Sequence, residues 1–219
     1  AGRYSSEVNV LLAIKTIAPD RIKEVLQADP NLLVGENKVQ ELKEKFDALK
    51  GVSHEAHFIG HLQTNKIKEV LKYVDCIQSI DRLSLAEKLQ KRLEFEDRCI
   101  DAFIQVNTSY EQSKFGIAPE EALDFALKVA KFDRIKLKGL MTIGLFSSNE
   151  DEVRKCFRLL KNLQEEMLSH NLPVHELSMG MSNDFETAIE EGATIVRVGT
   201  AIFGQRQYPD SYYWNESAG

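Results

Sequence analysis

Short apolar runs alternate with amphipathic stretches along the whole chain. In the stretches, apolar residues recur at every third or fourth position, as in Val39, Leu42, Phe46 and Leu49, which predicts helices with one buried face. The runs have the length and composition of buried strands. Eight runs can be counted, at residues 8–14, 32–34, 56–59, 76–80, 102–106, 136–143, 174–177 and 194–198. The pattern therefore predicts eight strands that alternate with helices.

Helix-start signals support this alternation. Ser84 with Glu87 and Asn183 with Glu186 have the spacing of capping boxes, and Pro119 suits a first helical turn. We expect these residues to begin the helices that follow them.

The absence of a long linker or low-complexity segment predicts a single domain over residues 1–219. Eight strands alternating with helices in one domain of this length are typical of an α/β fold, a single (β/α)8 TIM barrel. A doubly wound open sheet is the competing topology, and we favour the barrel.

Composition narrows the class of protein. Hydrophobic residues make up 43% of the chain and charged residues 28%, which is typical of a globular protein. The formal net charge of −6 excludes a broad cationic surface, so we expect no stable nucleic-acid binding, although a small anion site remains allowed.

Cysteine spacing and hydropathy indicate the compartment. Cys76, Cys99 and Cys156 lack the paired spacing of a zinc site or a disulfide framework, and we expect buried thiols in a reducing environment. The apolar run at residues 8–14 is far shorter than the ~20 residues of a membrane helix. We expect a soluble cytoplasmic protein with no metal site.

Candidate chemistry lies where the predicted strands end, because barrel active sites form at the carboxyl ends of the strands. The first run ends at Lys15. A lysine in the barrel mouth is desolvated, which favours the neutral amine and makes it a Schiff-base nucleophile. A solvated lysine just past the strand end is the alternative. Asn37 after the second run is either a helix cap or an amide that orients a ligand.

The last two runs predict a phosphate site. Ser178 and Ser182 offer hydroxyl groups, Gly199 allows close backbone approach, and Thr200 adds a donor. Ordinary capping and turn formation would explain the same residues. Arg197 lies inside an apolar strand and needs a partner, either a carboxylate or a ring nitrogen of a cofactor.

Together these residues have the layout of a pyridoxal phosphate site. Lys15 would form the aldimine, the residues after the last two strands would hold the phosphate, and Arg197 would face the pyridine nitrogen. Because a cationic arginine cannot accept a proton, it would leave that nitrogen unprotonated and weaken the electron sink. Such a site would bind the cofactor without driving strong carbanion chemistry.

Nine blocks of sequence match a known family in the right order. They are residues 11–16, 35–37, 39–41, 57–60, 62–66, 114–116, 139–143, 177–182 and 197–204. On these blocks the chain resembles the pyridoxal phosphate homeostasis proteins, also called the proline synthase co-transcribed family, which are single-domain relatives of the alanine racemase N-terminal barrel. The match runs from about residue 8 to residue 206.

The resemblance implies a protein that binds pyridoxal 5'-phosphate covalently, buffers it or delivers it to apo pyridoxal phosphate enzymes, and has no established catalytic turnover. It assigns the aldimine to Lys15 and places Asn37 beside the ring. The remaining residues that it places at the cofactor are Ser178, Ser182, Gly199 and Thr200 near the phosphate, Arg197 at the ring nitrogen, and Met179 and Met181 in the pocket wall.

One difference from the family concerns the strand register. Family members usually have a small hydroxyl residue between the apolar run and the lysine, whereas Ile14 directly precedes Lys15 here. Because strand side chains alternate, the shorter run predicts that Lys15 points outward unless a bulge or a shifted register compensates.

Two enzyme classes are the alternatives. A racemase on this barrel would need a second base from an additional domain, for which few residues follow the last strand, and we expect Tyr208, Tyr212 and Tyr213 to be surface residues. A cofactor-free sugar-phosphate enzyme would need an acid/base pair, and Glu36 and His61 are its candidates. We favour the cofactor-binding protein, and expect a monomer.

Overall fold

A computed structural model describes residues 2–204 of the chain, so Tyr208, Tyr212 and Tyr213 lie outside the described residues. Eight parallel strands pair in chain order, and the last pairs with the first to close a barrel. The strands are β1 (Asn9–Ala13), β2 (Leu33–Glu36), β3 (Glu55–Phe58), β4 (Cys76–Ile80), β5 (Ile100–Gln105), β6 (Ile135–Met141), β7 (Glu176–Met181) and β8 (Ile195–Val198). The predicted (β/α)8 barrel is confirmed, and the open sheet is excluded.

Helices connect consecutive strands around the outside of the barrel. They are α1 (Pro19–Ala28), α2 (Val39–Leu49), α3 (Ile67–Val70), α4 (Leu83–Glu96), α5 (Ala122–Val129), α6 (Glu150–Ser169), α7 (Phe185–Glu190) and α8 (Thr200–Phe203). Short 3-10 turns occupy Ser5–Glu7, Thr64–Lys66 and Pro119–Glu121, so Pro119 opens a helical segment as predicted. Within residues 2–204, no helix is long and apolar enough to cross a membrane.

Strand alternation divides the side chains between the barrel interior and the helix layer. One interior cluster gathers side chains from five strands and from the residue that follows β3: Leu11, Ile59, Cys76, Phe103, Met141 and Ile195. On β1, Leu12 and Ile14 instead pack outward against Ile22 and Leu26 of α1. Every second residue of β1 therefore points into the barrel, starting from Leu11.

The same alternation decides the direction of Lys15. The β1–β2 pairing runs without a break from Leu11 to Ala13, so no bulge changes the register there. Ala13 and Lys15 both line the pocket in the barrel mouth. The outward orientation expected from the short run is wrong, because Lys15 has the same parity as the interior residue Leu11.

The two predicted capping boxes are also wrong. Helix α4 begins at Leu83, so Ser84 lies within its first turn and no side chain caps it. The cap of α7 is Asp184, whose carboxylate turns back to accept the backbone N–H of Met181 at 2.5 Å. Asn183 is displaced into the loop, where it lines the pocket in the barrel mouth.

Two burial predictions need correction. Phe46 is 43% exposed, and Lys45 takes its place on the buried face of α2. The ammonium of Lys45 can be buried because carboxylates of Glu36 and Glu41 surround it. Cys99 is exposed, unlike the other two cysteines, because it lies between the end of α4 and the start of β5.

Candidate functional site

A pocket opens at the carboxyl ends of the strands and contains most of the predicted site residues. The predicted residues that line it are Lys15, Asn37, Ser182, Arg197, Gly199 and Thr200, together with Met181. They come from β1, β2, β7 and β8 or the loops that follow these strands. Since β8 pairs with both β7 and β1, Lys15 and the loops that are predicted to bind phosphate follow neighbouring strands.

Two predicted residues do not line this pocket. β7 extends to Met181, so Ser178 and Met179 lie inside the strand rather than in the loop after it. Ser178 is fully buried in the barrel interior, where it contacts Gln78 and Arg197. Met179 points outward into the core between the strands and the helices.

The end of β1 is held by a buried ion cluster, which we call the Lys45 cluster (Glu36, Glu41 and Lys45). The Lys45 ammonium donates to the Ile14 carbonyl oxygen, to Glu36 Oε2 and to Glu41 Oε2, each at 2.7 Å. The chain turns directly afterwards, because Thr16 has a φ of 64° and donates its N–H to Glu41 Oε2 at 2.7 Å. The cluster thereby grips the backbone on both sides of Lys15.

Burial and charge act against each other within the Lys45 cluster. Burial raises the pKa of Glu36, and the neighbouring Lys45 opposes this effect. Burial also disfavours the charged form of Glu41, but hydrogen bonds from Lys45 and from the Thr16 N–H outweigh it and lower the pKa of Glu41. Two carboxylates thus share one ammonium, with Glu36 fully buried and Glu41 partly exposed.

Asn37 is placed by Glu36 at the end of β2 and by Gly60 in the loop after β3. Its backbone N–H donates to Glu36 Oε1 at 2.7 Å, which joins it to the Lys45 cluster. Gly60 packs against it so closely that a Cβ at Gly60 would lie 2.0 Å from the Asn37 carbonyl oxygen. The cap of α2 is Lys38, so Asn37 is left to line the pocket.

Ser182 joins the loops after β7 and β8. Its Oγ accepts the backbone N–H groups of Gly199 and Ala201, both at 3.2 Å. The hydroxyl hydrogen can still be donated to an acceptor in the pocket. Asp184 lines the same wall, and burial raises its pKa. The sequence analysis did not predict Asp184 as a pocket residue. Its only signal in the sequence is that it lies two residues after Ser182.

Arg197 forms the cationic floor of the pocket. Its Nη1 donates to Ser178 Oγ at 2.8 Å and its Nη2 donates to the Thr142 carbonyl oxygen at 2.6 Å. Burial lowers the pKa of Arg197 to about 10, and the charge of Asp184 acts in the opposite direction, so the guanidinium stays charged at neutral pH. Its two contacts use neutral oxygen atoms and leave donors for a group in the pocket.

The acid/base pair considered for a sugar-phosphate enzyme is not assembled in the pocket. Glu36 faces α2, where Lys45 binds it. His61 stacks on Phe115 with ring centroids 3.8 Å apart, and its Nδ1 lies 3.3 Å from Asp81 Oδ2. Neither Glu36 nor His61 lines the pocket. Within the described part of the chain, no group of three or more His, Cys, Asp or Glu residues could hold a metal ion.

Comparison with known proteins identifies the family. The family model of the alanine racemase N-terminal domain matches residues 11–207. The chain is 43% identical over 209 residues to the pyridoxal phosphate homeostasis protein of Aquifex aeolicus, covering 95% of this chain and 91% of the relative. The chain belongs to the pyridoxal phosphate homeostasis protein family. A second member, from Helicobacter pylori, is 39% identical over 198 residues, covering 90% of this chain and 87% of the relative.

Solved structures show the same barrel for this family. PipY of Synechococcus elongatus with PLP bound superposes with a TM-score of 0.85 at 29% identity, covering 92% of this chain and 95% of PipY. Alanine racemase of Clostridium difficile reaches a TM-score of 0.79 at 13% identity, covering 94% of this chain and 55% of the racemase, and shares the fold. The homeostasis proteins and the racemase therefore use one architecture.

Proposed function

We propose that this protein binds pyridoxal 5'-phosphate as a Schiff base on Lys15 and acts in vitamin B6 homeostasis without catalytic turnover. The observation that carries the proposal is the composition of the pocket. It brings together the buried side chains of Lys15 and Arg197 and the loops that contain Ser182 and Thr200. A PLP-bound relative with the same barrel supports the choice of cofactor.

The residues present suit the chemistry of pyridoxal phosphate. The Lys15 amine would condense with the aldehyde and release water. Ser182 and Thr200 offer hydroxyl donors to the phosphate, Gly199 allows close backbone approach, and the charge of Arg197 opposes the single carboxylate of Asp184 in the lining. Asn37 lines the same pocket as Lys15, and its side-chain amide would contact the ring.

Arg197 and the pocket lining support a holding role over turnover. An arginine facing the ring nitrogen donates a hydrogen bond and cannot supply a proton, so the cofactor would stabilise a carbanion poorly. Among the described residues that line the pocket there is no histidine, tyrosine or cysteine to act as a second base opposite Lys15. The curated relatives named above are likewise called homeostasis proteins.

A reversible covalent link to pyridoxal phosphate would suit a protein that carries the cofactor. We propose that the protein works as an intracellular monomer and transfers pyridoxal phosphate to apo pyridoxal phosphate enzymes. The free thiols of Cys76, Cys99 and Cys156 support a reducing compartment. Sedimentation of the loaded protein, and reactivation of an apo enzyme in its presence, test these two points.

The test of the proposal is covalent trapping. Purified protein mixed with pyridoxal phosphate is expected to develop the yellow absorption of a Schiff base, and borohydride followed by peptide mass mapping is expected to locate it on Lys15. Lys15→Arg keeps the charge but removes the nucleophilic amine, so it should abolish trapping. Lys66→Arg, at an exposed lysine after β3, is the matched control and should trap normally. Trapping at another lysine, or none, would refute the assignment.

A further inference from the structure

A line of polar side chains crosses the interior of the barrel beneath the pocket. Glu55 Oε1 lies 2.9 Å from His57 Nε2, His57 Nδ1 lies 2.7 Å from Gln78 Nε2, and Gln78 Oε1 lies 2.6 Å from Ser178 Oγ. Ser178 Oγ then accepts from Arg197 Nη1 at 2.8 Å. We call these five residues the barrel chain. Its members come from β3, β4, β7 and β8.

The barrel chain is unusual for its burial. Gln78 and Ser178 are 0% exposed, and His57 and Arg197 are at most 5% exposed. TIM-barrel interiors are filled mainly by branched apolar side chains, and a buried polar group without a partner is costly. Here each buried member has a partner on both sides, so the row forms one connected unit from Glu55 at the start of β3 to the pocket.

With the Gln78 amide oriented so that Oε1 faces Ser178 and Nε2 faces His57, each hydrogen bond of the barrel chain has one direction. Arginine can only donate, so Ser178 must accept from Arg197 and direct its single hydrogen to Gln78 Oε1. A carboxylate can only accept, so His57 must donate from Nε2 to Glu55. Gln78 Nε2 then donates to the unprotonated Nδ1 of His57. All four hydrogen bonds run from the cation towards the carboxylate.

The aligned hydrogen bonds connect the Arg197 guanidinium to groups deep in the barrel. The charges of Arg197 and Glu55 stand at opposite ends of the barrel chain, and the aligned dipoles of Ser178, Gln78 and His57 connect them. Ser178 Oγ accepts from Arg197 while its own hydrogen is directed to Gln78 Oε1, and this second bond fixes the rotation of the hydroxyl group. One of the two hydrogen bonds that orient the guanidinium therefore depends on Gln78 and His57, which do not line the pocket, while the other goes to the Thr142 carbonyl oxygen.

We propose that His57 and Gln78 are positioning residues that act through Ser178 to hold Arg197 in place at the pocket floor. The proposal rests on the proposed function only where Arg197 meets the ring nitrogen of pyridoxal phosphate. In the protein alone, the barrel chain fixes the Nε2–H tautomer of His57 and slows the motion of the Arg197 guanidinium. In the loaded protein, it sets the contact between Arg197 and the ring.

The first test uses the protein without cofactor. Two-bond ¹H–¹⁵N spectra of the imidazole, assigned by comparison with His57→Phe, are expected to show protonation at Nε2 alone at neutral pH. The guanidinium signal of Arg197 is expected to exchange slowly with solvent in the wild type and at least about tenfold faster in Gln78→Met. Protonation at Nδ1, or equal exchange in both proteins, would overturn the proposal whether or not pyridoxal phosphate binds.

The second test uses binding and absorption. Gln78→Met removes both links of the amide at similar volume, and Gln105→Met is the matched control, since Gln105 is a buried glutamine on β5 that donates to the Phe115 carbonyl oxygen outside the barrel chain. We expect Gln78→Met to weaken pyridoxal phosphate binding about tenfold and to shift its absorption maximum, with a change below about twofold in Gln105→Met.

Other outcomes separate the two proposals. If Gln78→Met fails to fold, His57→Phe breaks the barrel chain one residue further from the pocket and must give the same direction of change. Equal losses in Gln78→Met and Gln105→Met would mean general destabilisation and would overturn the positioning role. A wild type that shows the expected tautomer and slow exchange but traps no cofactor would refute the proposed function and leave the barrel chain standing.

Discussion

The Lys45 cluster and the barrel chain both support the pocket, but they differ in geometry and in range. The Lys45 cluster lies between the strands and α2, and one ammonium holds three oxygen atoms from residues at most 31 positions away along the chain. The barrel chain lies inside the barrel and includes a hydrogen bond between residues 100 positions apart. The Lys45 cluster binds backbone groups on both sides of Lys15, and the barrel chain ends in a hydrogen bond from the Arg197 side chain.

The two networks are expected to affect the protein in different ways when they are disrupted. Removing a partner from the Lys45 cluster leaves a buried charge without compensation, so the loss falls mainly on stability. Removing a link from the barrel chain leaves neutral groups unsatisfied, which costs less. Since we propose that this link positions Arg197 towards the cofactor, we expect the loss to fall more heavily on cofactor binding.

The largest effect is expected from Lys45→Met. It leaves the fully buried carboxylate of Glu36 without its cation, and should lower the free energy of unfolding by about 3–5 kcal/mol. Urea denaturation followed by circular dichroism measures the change. Lys43→Met, at an exposed lysine on the same helix, is the matched control and should change stability by less than about 0.5 kcal/mol. A similar small change in Lys45→Met would show that the cluster contributes little.

Adding Glu36→Leu to Lys45→Met tests whether the unpaired charge causes that loss. Replacing a whole buried ion pair with apolar side chains is often close to neutral, so the double variant should recover about 2 kcal/mol relative to Lys45→Met. The same denaturation experiment measures it. A double variant less stable than Lys45→Met would indicate that Glu36 matters chiefly through its bond to the Asn37 N–H.

A loss of about 2 kcal/mol is expected for Gln78→Met, because two neutral buried hydrogen bonds disappear while the side-chain volume is kept. We also expect this variant to bind pyridoxal phosphate more weakly than the wild type under conditions in which both proteins are fully folded. Titration of the cofactor at a temperature well below the unfolding transition measures binding separately from folding. An unchanged affinity would remove the distinction between the two networks.

The smallest effect concerns the outer end of the barrel chain. The hydrogen bond from His57 lowers the pKa of Glu55 below its ordinary value of 4.5, although partial burial opposes the shift. Because the folded-state pKa is depressed, the stabilisation is present above about pH 4.5 and is lost as the pH falls through the folded-state pKa. A ¹³C titration of the Glu55 carboxyl group should show this depression, and His57→Phe should largely remove it.

Several site residues could be predicted from sequence because their signals are local. Lys15 ends an apolar run, and Ser182, Gly199 and Thr200 follow the last two strands, so the rule that barrel sites lie at strand ends places them together. The structure gathers all four in one pocket. Gln78 had a readable signal as well, because an amide inside an apolar run needs a buried partner.

The positions of other residues could not be predicted, because they depend on contacts between distant parts of the chain that helical or strand periodicity does not reveal. Periodicity selected Phe46 for the buried face of α2, whereas Lys45 occupies it. Lys45 can be buried because its ammonium donates to Glu36 at the end of β2 and to the Ile14 carbonyl oxygen just after β1. Ser178 was expected in a loop, but β7 continues to Met181, and the side chain is drawn into the interior between Gln78 and Arg197.

The order of residues along the chain was enough to predict the barrel, the family and the end of the barrel that carries the site, because strand and helix periods and strand-end residues are encoded over a few neighbouring positions. The inward direction of Lys15 and the hydrogen bond from Arg197 to Ser178 are visible only in the folded chain. Those outcomes depend on the register between strands and on donor and acceptor groups up to 100 residues apart. Such pairings become physical neighbours only when the barrel closes.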